Sequence, residues 1–340
     1  MTALRTASRD ASLRAVITSR RPLFYALGSD AAEDRPAHIR AASSLAWIDG
    51  QIAVVQDDAN FVALLNAFGG EARAITLPRG VGGSRLFDDA RGNKKYKLDL
   101  EASVAVSGAG GTTLLAFGSG SGKRRRQIGS VDQISEHASR VRIVDATSFY
   151  ERLEAESSFA GSDMNVEGVV LINDQLRFFG RGNGKARRGL RPLNATCDVA
   201  IDALLAYLDD TSRTPPTPRR VVEYALGQLD GTPLGFTDAA VCGADVLYSA
   251  TAEASDDATV DGAVTGSVLG VIEHTGRVRY IEITDQTGAP LRDKVEGVLL
   301  SPTASRCAYL VIDADDTTRP SELCDVALHG DWGEGLRNAS

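Results

Sequence analysis

Two glutamates in this chain each stand directly before a glycine and an apolar run: Glu167 in "NVEGVVLI" and Glu296 in "KVEGVLL". A carboxylate leading a buried strand is costly unless the folded protein neutralises or uses it. Three other strand-like segments carry a polar leader at the same place: Ser43 in "SSLAWI", Glu101 in "LEASVAV" and Thr237 in "FTDAAV". All five leaders offer oxygen. Carboxylates, hydroxyls, carbonyls and water are the donor set of Ca2+ and Mg2+, and Ca2+ better tolerates several irregular radial donors. The four histidines and four cysteines are scattered, with no zinc-ligand spacing and no support for a Ser-His-Asp triad.

The leaders lie 58, 66, 70 and 59 residues apart. Each opens the same pattern: four apolar or small residues, a turn, a strand of β-branched and aromatic residues, then a polar loop. Further strands follow, such as "FVALLNAF" and "EARAITL", "RQIGSVDQI" and "SRVRIVDA", "GSVLGVIE" and "GRVRYIEIT". Repetition of a four-stranded unit predicts an all-β fold, a five-bladed β-propeller, with a six-bladed ring as the alternative. The last unit has three strands, and "SLRAVITS" at Ser12–Ser19 is available to complete it, closing the ring with an N-terminal strand. One propeller domain is expected over 12–330, with 1–11 and 331–340 as flexible termini. "TCDVAIDALLAYLDD" reads as strand, helix or both. "DATSFYERLEAESSFAG" reads as a surface helix capped by Thr147, with Phe149, Leu153 and Ala155 near helical spacing.

In a propeller the first strand of each blade lines the central channel, so Ser43, Glu101, Glu167, Thr237 and Glu296 are expected to form one polar ring at its mouth. Three converging carboxylates repel one another, and sharing protons, sharing neighbouring cations or binding a metal would each relieve them. The plainer alternative is a ring that caps the channel and holds water. Loops between second and third strands reach the same face. Two are basic, with Lys123, Arg124, Arg125 and Arg126, then Arg181, Asn183, Lys185, Arg187 and Arg188. Three are acidic, with Asp57 and Asp58, then Glu253, Asp256, Asp257 and Asp261, then Asp313, Asp315 and Asp316. A basic rim beside an acidic, metal-capable centre suits a small anionic or phosphorylated ligand.

Composition narrows the classes. The 340 residues are 43% apolar and carry a net charge of −8, which argues against nucleic-acid binding. No apolar run has the roughly 20 residues of a membrane span. The N-terminus lacks a secretory apolar core, so a cytoplasmic monomer with buried, reduced thiols is expected. "GSGSGKR" lacks the spacing and hydroxyl of a phosphate loop, and "GRGNGK" fails the dinucleotide fingerprint.

The order of leaders, with "SSLAWIDGQIAVVQDD", "LEASVAV", "VEGVV", "GFTDAAV" and "DKVEGVLL", resembles the calcium-activated nucleotidase (apyrase) family of five-bladed propellers. The resemblance implies an axial Ca2+ held by Ser43, Glu101, Glu167, Thr237 and Glu296, with nucleotides bound above it. Asp57 and Asp58 resemble that family's acidic pair, except that Ala59 stands where an arginine follows there. The whole chain is also similar to an uncharacterised group of bacterial β-propeller proteins that share "LGFTDAA", "KVEG" and a "DADD…RPSEL" ending. Three functions are therefore expected as alternatives. In a metal-dependent hydrolase of a phosphorylated small molecule, Arg181 or the Lys123–Arg126 cluster holds charge while Asp58 or Asp238 orients water. The others are a non-catalytic anion- or partner-binding propeller and a metal-dependent lactonase or esterase, which would not need the basic loops.

Overall fold

The computed structural model describes residues 2–67, 69–108, 110–135, 139–187, 189–254, 262–333 and 336. The chain is mostly β, with its strands gathered into sheets. It opens with β1 (Ala3–Arg9) and β2 (Arg14–Pro22). Four-stranded antiparallel meanders then follow. The first comprises β3 (Ala42–Ile48), β4 (Gln51–Gln56), β5 (Phe61–Asn66) and β6 (Arg73–Thr76). The second comprises β7 (Leu100–Gly108), β8 (Gly111–Gly118), β9 (Gln127–Asp132) and β10 (Arg140–Asp145).

The third runs through β11 (Val166–Ile172), β12 (Gln175–Gly180), β13 (Asn194–Ala200) and β14 (Arg219–Ala225). After the short β15 (Gln228–Leu229), the fourth runs through β16 (Thr232–Cys242), β17 (Asp245–Ala254), β18 (Ala263–Ile272) and β19 (Val278–Thr284). The fifth has β20 (Lys294–Leu300), β21 (Cys307–Asp313) and β22 (Glu322–His329), and β2 pairs antiparallel with β22 to give it a fourth strand.

The first strands of the meanders touch in a cycle: β3 lies against β7, β7 against β11, β11 against β16, β16 against β20, and β20 against β3. Apolar residues alternate along the strands and fill the gap between each successive pair of sheets, as burial of apolar surface requires. Val55 and Leu64 meet Leu100 and Leu114 between the first two meanders. Phe117 meets Phe178 between the second and third, and Phe179 meets Phe236 and Tyr248 between the third and fourth. Leu247 and Leu269 meet Val298 and Leu310, while Val311 and Tyr309 return to Val54 and Phe61 of the first meander.

Several sequence expectations need correcting. Within the span 1–11 expected to be flexible, Ala3–Arg9 are not loose, because β1 pairs in parallel with β14 through Ala3–Thr6 and with β19 through Ala7–Arg9. Its backbone groups are thereby satisfied by the outer strands of two meanders. In the C-terminal ten residues, Trp332 and Leu336 are buried in the cluster between the fourth and fifth meanders, because their apolar area finds a core there. The segment after β10 forms α1 (Thr147–Glu154) and α2 (Ser157–Ala160). It is no surface helix: Phe149, Tyr150, Leu153 and Phe159 pack into the core with Phe178. Thr147 is not its cap either, since the Asp145 carboxylate accepts the Thr147 N–H at 3.0 Å. The ambiguous stretch is both elements, β13 followed by α3 (Ile201–Asp209). All four cysteines are free thiols, three of them buried. No helix among the described residues is long and apolar enough to cross a membrane.

Candidate functional site

Each of the five polar leaders sits at an irregularity in the pairing of its strand with the next. Pairing skips Ser43 between Ala42 and Ser44, Glu101 between Leu100 and Ala102, and Glu167 between Val166 and Gly168. It skips Thr237 between Phe236 and Asp238, and Glu296 between Val295 and Gly297. An extra residue of this kind leaves the ladder and re-aims its side chain. The glycines after the two glutamates have a steric cause. A Cβ on Gly168 would lie 3.1 Å from the Asp238 backbone, and one on Gly297 would lie 2.8 Å from Val311 Cγ1.

Beyond the irregularity, the residue two before each leader faces a residue from the second strand. Asp57 donates its N–H to Ala41 O, Ser119 to Asp99 O, and Arg181 to Asn165 O. Gly235 pairs with Thr251, and Lys294 with Asp313. Gly235 lacks a side chain because Arg181 crosses it: a Cβ there would lie 2.8 Å from Arg181 Cγ. This layer of charged residues opens into two connected groups of walls. An outer cavity of about 450 Å3 is lined by Ser43, Asp57, Asp58, Glu101, Glu296 and Asp313, among others. A smaller inner cavity of about 50 Å3 is shared by Asp57, Asp99, Glu101, Glu167, Arg181 and Glu296.

Charges here are largely compensated inside the protein. The Lys97 ammonium bridges Asp57 at 2.6 Å and Asp99 at 2.7 Å. Arg125 reaches Asp99 at 3.1 Å, and the Ser119 hydroxyl donates to the same carboxylate. Arg181 joins Glu253 at 2.6 Å and Glu167 at 3.4 Å, while Lys294 holds Glu296 at 2.8 Å. Arg40 donates to Asp58 at 2.9 Å and reaches Asp88 at 3.3 Å.

Compensation is incomplete. Burial pushes Glu167 up to about 8, an effect Arg181 opposes and Glu296 reinforces. Burial, opposed by Lys294 and Arg181, pushes Glu296 up to about 7. Burial and neighbouring Asp315 take Asp313 to about 7. Burial, then Asp57, Asp99 and Glu167, raise Glu101 well above the usual carboxylate range. Asp99 goes the other way: Lys97, Arg125 and the Ser119 hydroxyl outweigh its burial and hold it below that range.

One oxygen each from Asp57, Asp99 and Glu101 lie within 4.8 Å of one another. That span is about twice a Ca–O bond, so one ion can touch all three. The donors are all oxygen. No hydrogen bond or ion pair holds Glu101 among the described residues, and Asp57 Oδ1 and Glu296 Oε2 are buried without hydrogen-bond partners. The local fit to a hard divalent cation is therefore good at this trio.

The expected site is corrected accordingly. Glu101, Glu167 and Glu296 do meet in the inner cavity, whereas Ser43 lines only the outer one and Thr237 lines neither. The Ser43 hydroxyl donates to Leu100 O at 2.6 Å, and that of Thr237 donates to Ser249 Oγ at 2.9 Å. Asp238 lines neither cavity, so it orients no water there. Its carboxylate is fully enclosed and accepts the Val298 N–H at 3.0 Å. The basic rim is also redirected by local partners. Arg124 stacks over Tyr96 at 4.6 Å, Arg126 pairs with Glu154 and Arg187 with Asp163, while Lys123 is exposed. Arg125, Arg181 and Asn183 do reach the inner cavity, but both arginines are committed to carboxylates. Arg188, Asp256, Asp257 and Asp261 lie outside the described residues.

Sequence reasoning missed Lys97, Asp99, Lys294 and Arg40. Alternation offered a signal for three of them: Lys97 and Asp99 precede Glu101 by four and two residues in "KLDLE", and Lys294 precedes Glu296 by two in "KVE". Arg40 lies ahead of its strand and carried no such signal.

The chain belongs to DUF6929, described as a family of unknown function, whose pattern matches residues 38–328. No curated protein matches it. Among solved structures it is similar to Drosophila Semaphorin 1b extracellular domains 1-2, with 11% identity and a TM-score of 0.34 over 94% of this chain. The chain spans about half of that structure, 54% of its length. It is also similar to a glycosyl hydrolase from Bacteroides ovatus, with 10% identity, a TM-score of 0.34 and coverage of 96% and 94% of the two chains. A third likeness is apo AztD from Citrobacter koseri, with 10% identity, a TM-score of 0.31 and coverage of 79% and 76%. Likenesses this distant carry no argument about function.

Proposed function

We propose that the five meanders are blades of a five-bladed β-propeller, closed by β2, whose axial vestibule holds a divalent cation at Asp57, Asp99 and Glu101. The vestibule then presents that cation to a small, oxygen-rich ligand. The cyclic contact of the first strands and the apolar filling between every successive pair of sheets support the propeller. The carrying observation for the site is the oxygen trio within 4.8 Å, with no hydrogen bond or ion pair on Glu101 among the described residues. Ca2+ suits the irregular set better than Mg2+, which demands a near-ideal octahedron.

The chain's own residues divide the work. Asp57, Asp99 and Glu101 supply donors. Arg125 and Ser119 fix Asp99, and Lys97, which bridges Asp57 and Asp99 here, would yield that place to the ion. A bound Ca2+ or Mg2+ supplies Lewis-acid polarisation of a ligand oxygen. The nucleotide hydrolysis implied by the apyrase resemblance gains no support, because the basic loops that would hold phosphate are paired elsewhere. The same finding favours, as a second reading, a metal-dependent lactonase or esterase acting on an uncharged substrate.

Calorimetric titration of chelator-treated protein with CaCl2 tests the site. Wild type is expected to bind one ion per chain. Glu101→Gln is expected to bind at least about tenfold more weakly, since Ca2+ affinity follows the charge of its ligands. Equal affinity in the two proteins, or no binding by wild type, removes the proposal.

A further inference from the structure

The outer cavity is lined by nine carboxylates and four basic side chains, a formal excess of five negative charges when all are ionised; protons held by Glu101, Glu296 and Asp313 near neutral pH reduce that excess without reversing it. One divalent ion at the inner trio cancels only two of them. The basic residues in the wall are already engaged. Arg40 is spent on Asp58 and Asp88, Lys97 on Asp57 and Asp99, and Lys294 on Glu296.

A second observation points to what the cavity takes. Glu296 is 8% exposed, and Lys294 occupies only its Oε1. Glu296 lines this cavity, and its Oε2 is buried without a hydrogen-bond partner. Asp57, in the same wall, has Oδ1 in the same condition. The oxygens of an ionised carboxylate only accept, so for that form the missing partners are donors. A wall of this charge selects donors that are positively charged and repels phosphates and carboxylates. The volume of about 450 Å3 accommodates a small organic molecule.

We propose that the outer cavity binds a small organic amine, whose –NH3+ group donates to Glu296 Oε2. The inference goes beyond the vestibule reading: it assigns the outer cavity a ligand of its own and does not require the metal. It also reverses the sign expected from the sequence, where the basic loops pointed to an anion. The ammonium completes a charge-assisted pair with a carboxylate that is largely buried.

Titration of the full-length, metal-stripped protein in chelator tests it, at about 0.15 M salt so that long-range attraction is screened. The probes are putrescine, butanediol and succinate, four-carbon chains whose ends are cationic, neutral and anionic. Putrescine is expected to bind at least about tenfold more tightly than butanediol, with no binding of succinate; tenfold is about 1.4 kcal/mol, within reach of one charge-assisted bond. Glu296→Gln, verified as folded by thermal melting, is expected to lose about tenfold for putrescine. Equal binding of putrescine and butanediol, preferential binding of succinate, or unchanged putrescine affinity in Glu296→Gln overturns the inference. Putrescine binding without Ca2+ binding upholds the amine site and defeats the cation site. Ca2+ binding without putrescine binding does the reverse.

Discussion

Asp238→Ala is expected to destabilise the protein by about 2–3 kcal/mol, while its effect on the vestibule's ligands is indirect. Asp238 is 1% exposed and sits one residue past the irregularity in β16. Apart from the two-residue pairing of β16 with β15, the first strand of each meander has a paired neighbour on one side only, so its inner edge presents unpaired backbone groups. The Asp238 carboxylate collects one of them. Its Oδ2 accepts the Val298 N–H at 3.0 Å and the Ser44 hydroxyl at 3.4 Å, from the fifth and first meanders, while its Oδ1 is buried without a hydrogen-bond partner. Removing it strands buried donors, each costing about 1–3 kcal/mol. Burial nevertheless raises the Asp238 acid well above its ordinary value, so a neutral acceptor is well suited to the site. Asp238→Asn keeps a carbonyl acceptor and is expected to cost under about half as much. Denaturant unfolding distinguishes the two. Equal, small effects of Ala and Asn would mean the edge donors find other partners.

The second large effect is a coupling between pH and divalent cation. Glu167, Glu296 and Asp313 titrate at about 8, 7 and 7, above the ordinary carboxylate range, chiefly because of burial. A raised folded value means that the folded state holds protons more tightly than the unfolded state. The stability they contribute is present in full below about pH 4 and is lost as pH rises through 7 to 8. Without metal, melting is expected to fall between pH 6 and pH 8.5 by on the order of 3 kcal/mol, allowing for partial compensation by Lys294 and Arg181. A cation near these charges offsets that loss. Millimolar Ca2+ is therefore expected to add little near pH 5 and most near pH 8.5, by the usual linkage of binding to folding. Thermal melts with chelator and with CaCl2 across that range check it. A Ca2+ effect independent of pH contradicts the coupling.

Much of the architecture was legible because its signals are local and repeated. The five leaders mark the places where pairing is interrupted, and each is followed by a strand whose alternation is plain in "VEGVVLI" or "SVAV". The N-terminal strand was readable as the missing member of the last sheet, and it does pair with β22. The β1 pairing was not readable, because "ALRTASR" is polar and gains its order from two neighbouring edges that sequence pattern does not reveal.

The site was legible only in part. Three of the five leaders meet, but the hydroxyls of Ser43 and Thr237 are consumed by partners 57 and 12 residues away. Loop charge was the weakest guide. Arg124, Arg126 and Arg187 are drawn aside by Tyr96, Glu154 and Asp163, contacts that no spacing in the chain predicts. Lys97 shows the opposite case, a cation outside the expected loops that lands between two acids.

Diffraction from crystals soaked in MnCl2 tests the cation site most directly, because an anomalous peak locates the ion without reference to activity. The expected peak lies within about 2.6 Å of an oxygen from each of Asp57, Asp99 and Glu101, with the Lys97 ammonium displaced from between the two aspartates. A soaked crystal with no peak at that position, and Lys97 still bridging Asp57 and Asp99, would show that lysine, not metal, is the counter-ion this fold was built around.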